Sequence, residues 1–175
     1  MIKAAATRSL EALGHLWRRL PLAIRRQVLF ATNHHFLVGV VGIIHNPEGR
    51  VLLLEHRFRT PHRWGLPGGF IRYGETMSQA LTRELREEID LQVEPENLID
   101  TEVNQNGRYV SVALAARITG PAPNLAQIDH PEILSGGFFS TTDLPFSTYP
   151  YHRRLIERLG TPPSATDADG LTRFA

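Results

Sequence analysis

The chain contains no cysteine. That excludes disulfide cross-links, thiolate nucleophiles and any zinc site built on sulfur, and it fits a reducing, cytoplasmic setting. No apolar run approaches the roughly 18 residues needed to cross a bilayer, so no membrane span is expected. No charge of either sign dominates. Nineteen Lys and Arg stand against 18 Asp and Glu, and the net charge of +1 gives no global pull toward nucleic acid, so no DNA partner is expected. Only His56 and His62 fall at an H-x3-5-H spacing, with no cysteine pair to accompany them, no H-E-x-x-H occurs, and none of the histidines is read as a metal ligand. What remains, 42% hydrophobic and 21% charged residues in a chain of 175, is the composition of one ordinary globular domain.

The first thirty or so residues are basic. Lys3, Arg8, Arg18, Arg19, Arg25 and Arg26 face a single acid, Glu11. Leu10, Leu13, Leu16, Trp17 and Leu20 recur at helical spacing, and Pro21 is expected to break the segment into two short helices. We read residues 1–35 as a helical extension packed on the domain or on a second subunit. The alternative is a transit peptide or a membrane-surface helix.

The domain proper is expected over residues 36–160. Residues 36–45 are rich in β-branched side chains and read as a buried strand. Residues 46–49 (Asn-Pro-Glu-Gly) read as a turn, and residues 50–56 as the returning strand of a hairpin. The basic loop 57–63 carries Arg57, Arg59 and Arg63, which either meet phosphates or stand in solvent. Trp64 and Leu66 read as core. Two extended runs, 98–105 and 108–119, flank Asn106-Gly107, a strong hairpin signal. Residues 132–140 read as another strand, with Gly136-Gly137 as a bulge or a close approach. Residues 149–159 read as the last helix, stopped by Gly160, before a polar tail over 161–175 that is expected to be mobile.

Residues 68–91 carry the chemistry. Thr76 and Gln79 form a Thr-x-x-Gln capping box, and a helix over 77–89 follows. Glu84, Glu87 and Glu88 lie three and four residues apart and share one side of that helix. Met77, Leu81, Leu85 and Ile89 form an apolar stripe beside them. Like charges at these spacings repel, and a hard divalent cation with oxygen ligands would remove the repulsion. The alternative is a solvated face held by the Arg83–Glu87 ion pair.

The loop before the helix decides between them. Gly69, Glu75, Arg83, Glu84, Leu85, Glu87, Glu88 and Leu91, preceded by Trp64-Gly65-Leu66-Pro67-Gly68, fall on the spacing G-x5-E-x7-R-E-U-x-E-E-x-G-U, in which U is a bulky aliphatic residue. This resembles the signature of the Nudix hydrolase family. One fixed position departs: Asp90 stands where that family has glycine. Asp tolerates the left-handed conformation that a helix end often needs, so the departure touches helix termination and leaves the acidic residues intact.

The resemblance spans residues 36–160. It implies an α/β fold, an α/β/α sandwich around a mixed β-sheet, and hydrolysis of the pyrophosphate bond of a small nucleoside diphosphate linked to another group. It implies Mg2+ or Mn2+ as cofactor, held by Glu84, Glu87, Glu88 and the Gly68 carbonyl, with Gly69 and Glu75 in support. An acid just before the 132–140 strand completes the site: Glu132, or failing that Asp129. Glu84 holds metal or takes the proton from water, and Arg83 orients it; Asp143-Leu144-Pro145 resembles the E/D-L-P that follows that strand in the family, and is read as a turn into the last helix. A homodimer is compatible. Two other classes stay in view. One is a nucleotide-sensing module without turnover, which the intact glutamates disfavour. The other is an isoprenoid diphosphate isomerase, which would call for a catalytic cysteine.

Overall fold

The helix carrying the acidic motif forms where the sequence places it. In the computed structural model Met77–Ile89 is helical, with Thr76 in extended geometry at its N-cap. The Thr76 hydroxyl accepts the Gln79 amide at 3.2 Å, and the Gln79 side chain accepts the Thr76 amide at 2.9 Å, so the capping box closes in both directions. Asp90 ends the helix in the left-handed region, at φ 50° and ψ 34°. The Leu91 amide then bonds back to the Leu85 carbonyl at 3.1 Å and fixes the exit of the chain. Ala80, Leu81, Leu85 and Ile89 are buried, and so is Glu88. Met77, expected in the apolar stripe, is instead 43% exposed, because the first turn overhangs the core.

The structure describes residue 11, residues 13–104 and residues 108–159. These fall into two compact units, divided between Phe36 and Leu37. In the first, residues 13–19 are helical, the chain breaks at Leu20-Pro21 as expected, and helix α1 (Leu22–Thr32) follows. No residue of α1 is buried. The second unit contains strands β1 (Leu37–Ile43), β2 (Val51–His56), β3 (Trp64–Gly65) and β4 (Gly68–Phe70), and the acidic helix, here α2 (Met77–Ile89). Strands β5 (Val93–Val103), β6 (Tyr109–Ile118) and β7 (Ile133–Phe139) and helix α3 (Pro150–Leu159) complete it. The Asn106-Gly107 tip between β5 and β6 and the tail beyond 159 lie outside the described residues. No described helix is long and apolar enough to cross a membrane.

The strands form two sheets. A mixed four-stranded sheet runs β4-β1-β6-β5, with β1 and β6 parallel, and a three-stranded antiparallel sheet runs β3-β2-β7. The expected β1–β2 hairpin is therefore corrected. The two strands meet only at the His45–Val51 bridge and a Leu52 N–H bond to the Ile44 carbonyl, and then diverge into different sheets. Alternation along the strands explains the layering. Val40, Ile44, Leu52 and Leu54 pack with Leu81 and Leu85 of α2, while Val41, Ile43, Val51 and Leu53 pack with Leu155 and Ile156 of α3. The two helices thus cover opposite faces, which gives an α/β/α sandwich. Fully burying side chains such as Leu81 and Leu85 contributes about 1.5–3 kcal/mol each.

In β7 the bulge falls opposite Glu55/His56, at Leu134, and not at Gly136-Gly137. Those glycines mark close approach: a Cβ on Gly136 would lie 2.8 Å from Leu54 Cδ2.

Candidate active site

Gly68 and Gly69 set the site's geometry. Gly68 has φ +136°, and a Cβ there would lie 2.2 Å from the Val40 carbonyl oxygen across the β1–β4 pair. A Cβ on Gly69 would lie 2.5 Å from the Glu84 carboxylate. Gly68 therefore needs glycine, for its backbone and for the approach of β4 to β1, while a side chain at Gly69 would have to displace the Glu84 carboxylate. With that approach made, the C-terminal half of α2 borders a cleft of about 830 Å³.

Arg83 organises the acidic wall of this cleft. Its side chain is 15% exposed and reaches three carboxylates. Nε donates to Glu75 Oε1 at 2.6 Å, Nη2 to Glu75 Oε2 at 3.0 Å, and Nη1 to Glu84 Oε1 at 2.8 Å and Glu87 Oε2 at 3.2 Å. Nη2 also donates to the Phe70 carbonyl at 3.0 Å, which ties α2 to β4. These bonds raise the Arg83 pKa, with Glu75 the largest cause. In return the Arg83 hydrogen bond, helped by the Arg72 amide, holds Glu75 down to about 2. Arg72 grips Glu87 in a fork, at 3.2 and 3.1 Å. Burial raises the Glu87 pKa, but the Arg72 and Arg83 bonds outweigh it and the net shift is downward.

Glu88 stands apart from this network. Leu81, Leu85 and Glu88 follow the same helical line, so its side chain turns toward the core and is 7% exposed. The Gly68 amide donates to its carboxylate, yet Oε2 has no hydrogen-bond partner among the described residues. Burial, and then the neighbouring charge of Glu84, push its pKa up to about 8. A buried carboxylate oxygen without a partner, with a second carboxylate beside it, has the donor chemistry of a hard-cation site. Among the described residues no three acidic or histidine side chains converge into a ready-made cation cage.

Of the residues named from sequence, Gly68, Gly69, Glu84, Glu87, Glu88 and Glu132 all line the cleft. Arg83 and Glu75 lie behind it and brace Glu84. Asp129 is exposed and outside the lining. The basic loop delivers one guanidinium to the cleft, not three. Arg57 turns back to donate to the Pro131 carbonyl at 2.9 Å, and Arg63 pairs with Glu55 at 3.6 Å. Arg59 lines the cleft half-buried, within the fields of Glu88 and Glu132, and its pKa is lowered, chiefly by burial. The ion pairs of the domain engage Arg63, Arg72, Arg83, Arg117, Arg153, Arg154 and Arg158, and among the described residues Arg59 joins none of them.

Sequence reasoning missed Arg72, His56, Tyr149 and His152, which also line the cleft. Arg72 sits inside the motif on a position that the signature leaves free. The others come from the end of β2 and from the α3 region, and no local pattern marks them.

Fold and site together define a class: an α/β/α sandwich whose acidic helix borders a cleft that also holds the Arg59 guanidinium. Residues 35–159 match the NUDIX domain model, and the chain belongs to that family. It is 29% identical over 126 residues to the human 8-oxo-dGDP phosphatase NUDT18, an alignment covering 71% of this chain and 36% of that protein. The chain thus spans about a third of that relative's length. It is 29% identical over 129 residues to the ADP-ribose pyrophosphatase of Methanocaldococcus jannaschii, covering 70% of this chain and 72% of that protein. Among solved structures, the MutT NUDIX hydrolase of Burkholderia pseudomallei superposes with a TM-score of 0.62 at 27% identity, covering 72% of this chain and 99% of that one.

Proposed function

We propose that the protein hydrolyses the phosphoanhydride bond of a small nucleoside diphosphate compound with the help of Mg2+ or Mn2+. The observation that carries this reading is Glu88: a buried carboxylate with an unpartnered oxygen, next to Glu84 and in a cleft that also presents Arg59. The names of the relatives, an 8-oxo-dGDP phosphatase and an ADP-ribose pyrophosphatase, agree in bond type and differ in substrate.

In this reading Glu88, Glu84, Glu87 and the Gly68 carbonyl hold the cation, with Glu132 joining from across the cleft. A bound cation neutralises the diphosphate and lowers the pKa of water. Glu87 must loosen its fork with Arg72 to take part. Glu84 holds the cation or accepts the proton of the attacking water. Arg83 fixes the Glu84 carboxylate by a charge-assisted bond, so that its rotamer is set before substrate arrives. Arg59 takes a phosphate oxygen. Positioning and charge stabilisation supply most of the rate in such displacements.

The test is a screen of nucleoside diphosphates, nucleotide sugars, ADP-ribose and nucleoside triphosphates with Mg2+ or Mn2+, reading phosphate or pyrophosphate release. Turnover of at least one class, abolished by EDTA, is expected. Absence of turnover across all classes contradicts the proposal and favours a nucleotide-sensing module.

A further inference from the structure

Beside Arg59, to which the hydrolytic reading gives a phosphate oxygen, the cleft is lined by two imidazoles, His56 and His152, that this reading leaves unexplained. Gly65 lies beneath them. A Cβ there would sit 2.8 Å from Arg59 Nη1 and 2.8 Å from His152 Nδ1. The missing side chain is what lets a guanidinium from the 57–63 loop and an imidazole from α3 share one spot beside β3.

The His152 ring is fixed. The Leu66 amide donates to its Nδ1 at 3.0 Å, so that nitrogen is the acceptor and the proton of the neutral ring is on Nε2. His152 is 5% exposed, so solvent does not reorder it. His56, also 5% exposed in the cleft wall, has its Nε2 buried without a hydrogen-bond partner among the described residues. Burial, and then the Arg59 charge, hold both imidazoles at about 3, so both are neutral at ordinary pH. An orphaned buried nitrogen, a locked N–H donor and a guanidinium without a carboxylate together form a site prepared for an anion.

We infer that Arg59, His152 and His56 form an anion subsite for the free terminal phosphate of the substrate, which selects nucleoside di- or triphosphates over nucleotides whose outer phosphate is esterified. The inference rests on the reading of the cleft as a diphosphate site. A terminal phosphate carries close to two negative charges and three acceptor oxygens. A phosphate esterified on both sides carries one charge and two free oxygens. Three donor groups, one of them a charged fork, match the first and leave a buried donor unused with the second, which is unfavourable. Arg59 lines the same cleft as Glu88 and Glu132, so one diphosphate can meet both sets of groups. His56 joins as its Nε2–H tautomer.

The test compares binding of ADP and ADP-ribose to the full-length protein in EDTA, by calorimetry, for wild type, Arg59→Ala, Arg59→Lys and His152→Gln. Wild type is expected to bind ADP more tightly. Arg59→Ala should weaken ADP on the order of tenfold or more and ADP-ribose far less, with partial recovery in Arg59→Lys. In imidazole 15N spectra the His152 Nε2 proton should shift on adding ADP without a change of protonation state. Equal losses for the two ligands, unchanged ADP affinity in Arg59→Ala, or no binding of either ligand to wild type overturns the subsite. Should His152→Gln fail to fold, the Arg59 variants on a half-buried loop still decide. ADP binding that follows this pattern without turnover sinks the hydrolase reading and leaves the subsite standing. Turnover indifferent to Arg59→Ala does the reverse.

Discussion

On the α2 side of the cleft Glu84 and Glu87, and Glu75 behind them, are each answered by Arg83, and Glu87 by Arg72 as well, while among the described residues Glu88 is left with an unpartnered oxygen. On the opposite wall the balance is inverted: among the described residues Arg59 joins no ion pair, and the two imidazoles beside it are held neutral. The contrast separates two uses of charge. Paired groups fix geometry, because removing either partner leaves the other desolvated. Unpaired groups are free to meet a ligand, and they lie where the reaction would take place. The α2 wall would take a cation through Glu88, and the far wall an anion through Arg59.

Substitutions can break this contrast, and the largest effects belong to the groups that await ligand. Glu88→Gln should lower kcat on the order of a hundredfold or more in a steady-state assay with Mg2+, and Glu84→Gln, which also releases one Arg83 contact, by a similar factor. Arg83→Gln attacks the paired set. It leaves Glu75 and Glu84 without their partner and should lower the midpoint of a urea titration. A variant that loses activity but keeps its midpoint would show that Arg83 acts on chemistry alone.

The two kinds of carboxylate also respond oppositely to pH. The Glu88 pKa is raised in the folded state, from 4.5 to about 8, so in EDTA the metal-free protein should lose stability as pH rises through that window. Glu88→Gln should remove the slope. The Glu75 pKa is depressed, from 4.5 to about 2, so its contribution is present above pH 4.5 and is lost as pH falls toward 2. Glu75→Gln should flatten that acid limb. Thermal melts across pH 2–9 read both. The smallest effect is expected at the helix end. Asp90→Gly should change stability by less than about 1 kcal/mol, in the stabilising direction, with activity retained, since Gly suits φ 50° and a negative charge is unfavourable there.

The legible parts of the molecule were those written locally. The capping box, the helix bounds and the left-handed Asp90 follow from neighbours in sequence, and so does the shared face of Glu84, Glu87 and Glu88. The burial of Glu88 was half-legible: it lies seven positions beyond Leu81, but which edge of an acidic face turns inward depends on where β4 packs. Strand pairing across the β1–β2 turn was misread because a short turn between two apolar runs does not tell whether the strands stay in one sheet. Among Arg57, Arg59 and Arg63, only contacts with Pro131, Gly65 and Glu55 decide which points inward, and two of those three partners are distant or lack a side chain. His152 was invisible for the same reason. Its role comes from the Leu66 amide, 86 positions away.

The claim beneath all of this is that Glu88 is an anchor waiting for a divalent cation. Mn2+ titration of the full-length protein and of Glu88→Gln, followed by electron paramagnetic resonance of free Mn2+ near neutral pH with nucleoside diphosphate present, tests it most directly. The account predicts saturable binding by wild type and an affinity at least about tenfold weaker in Glu88→Gln. Equal affinity in the two proteins would contradict it.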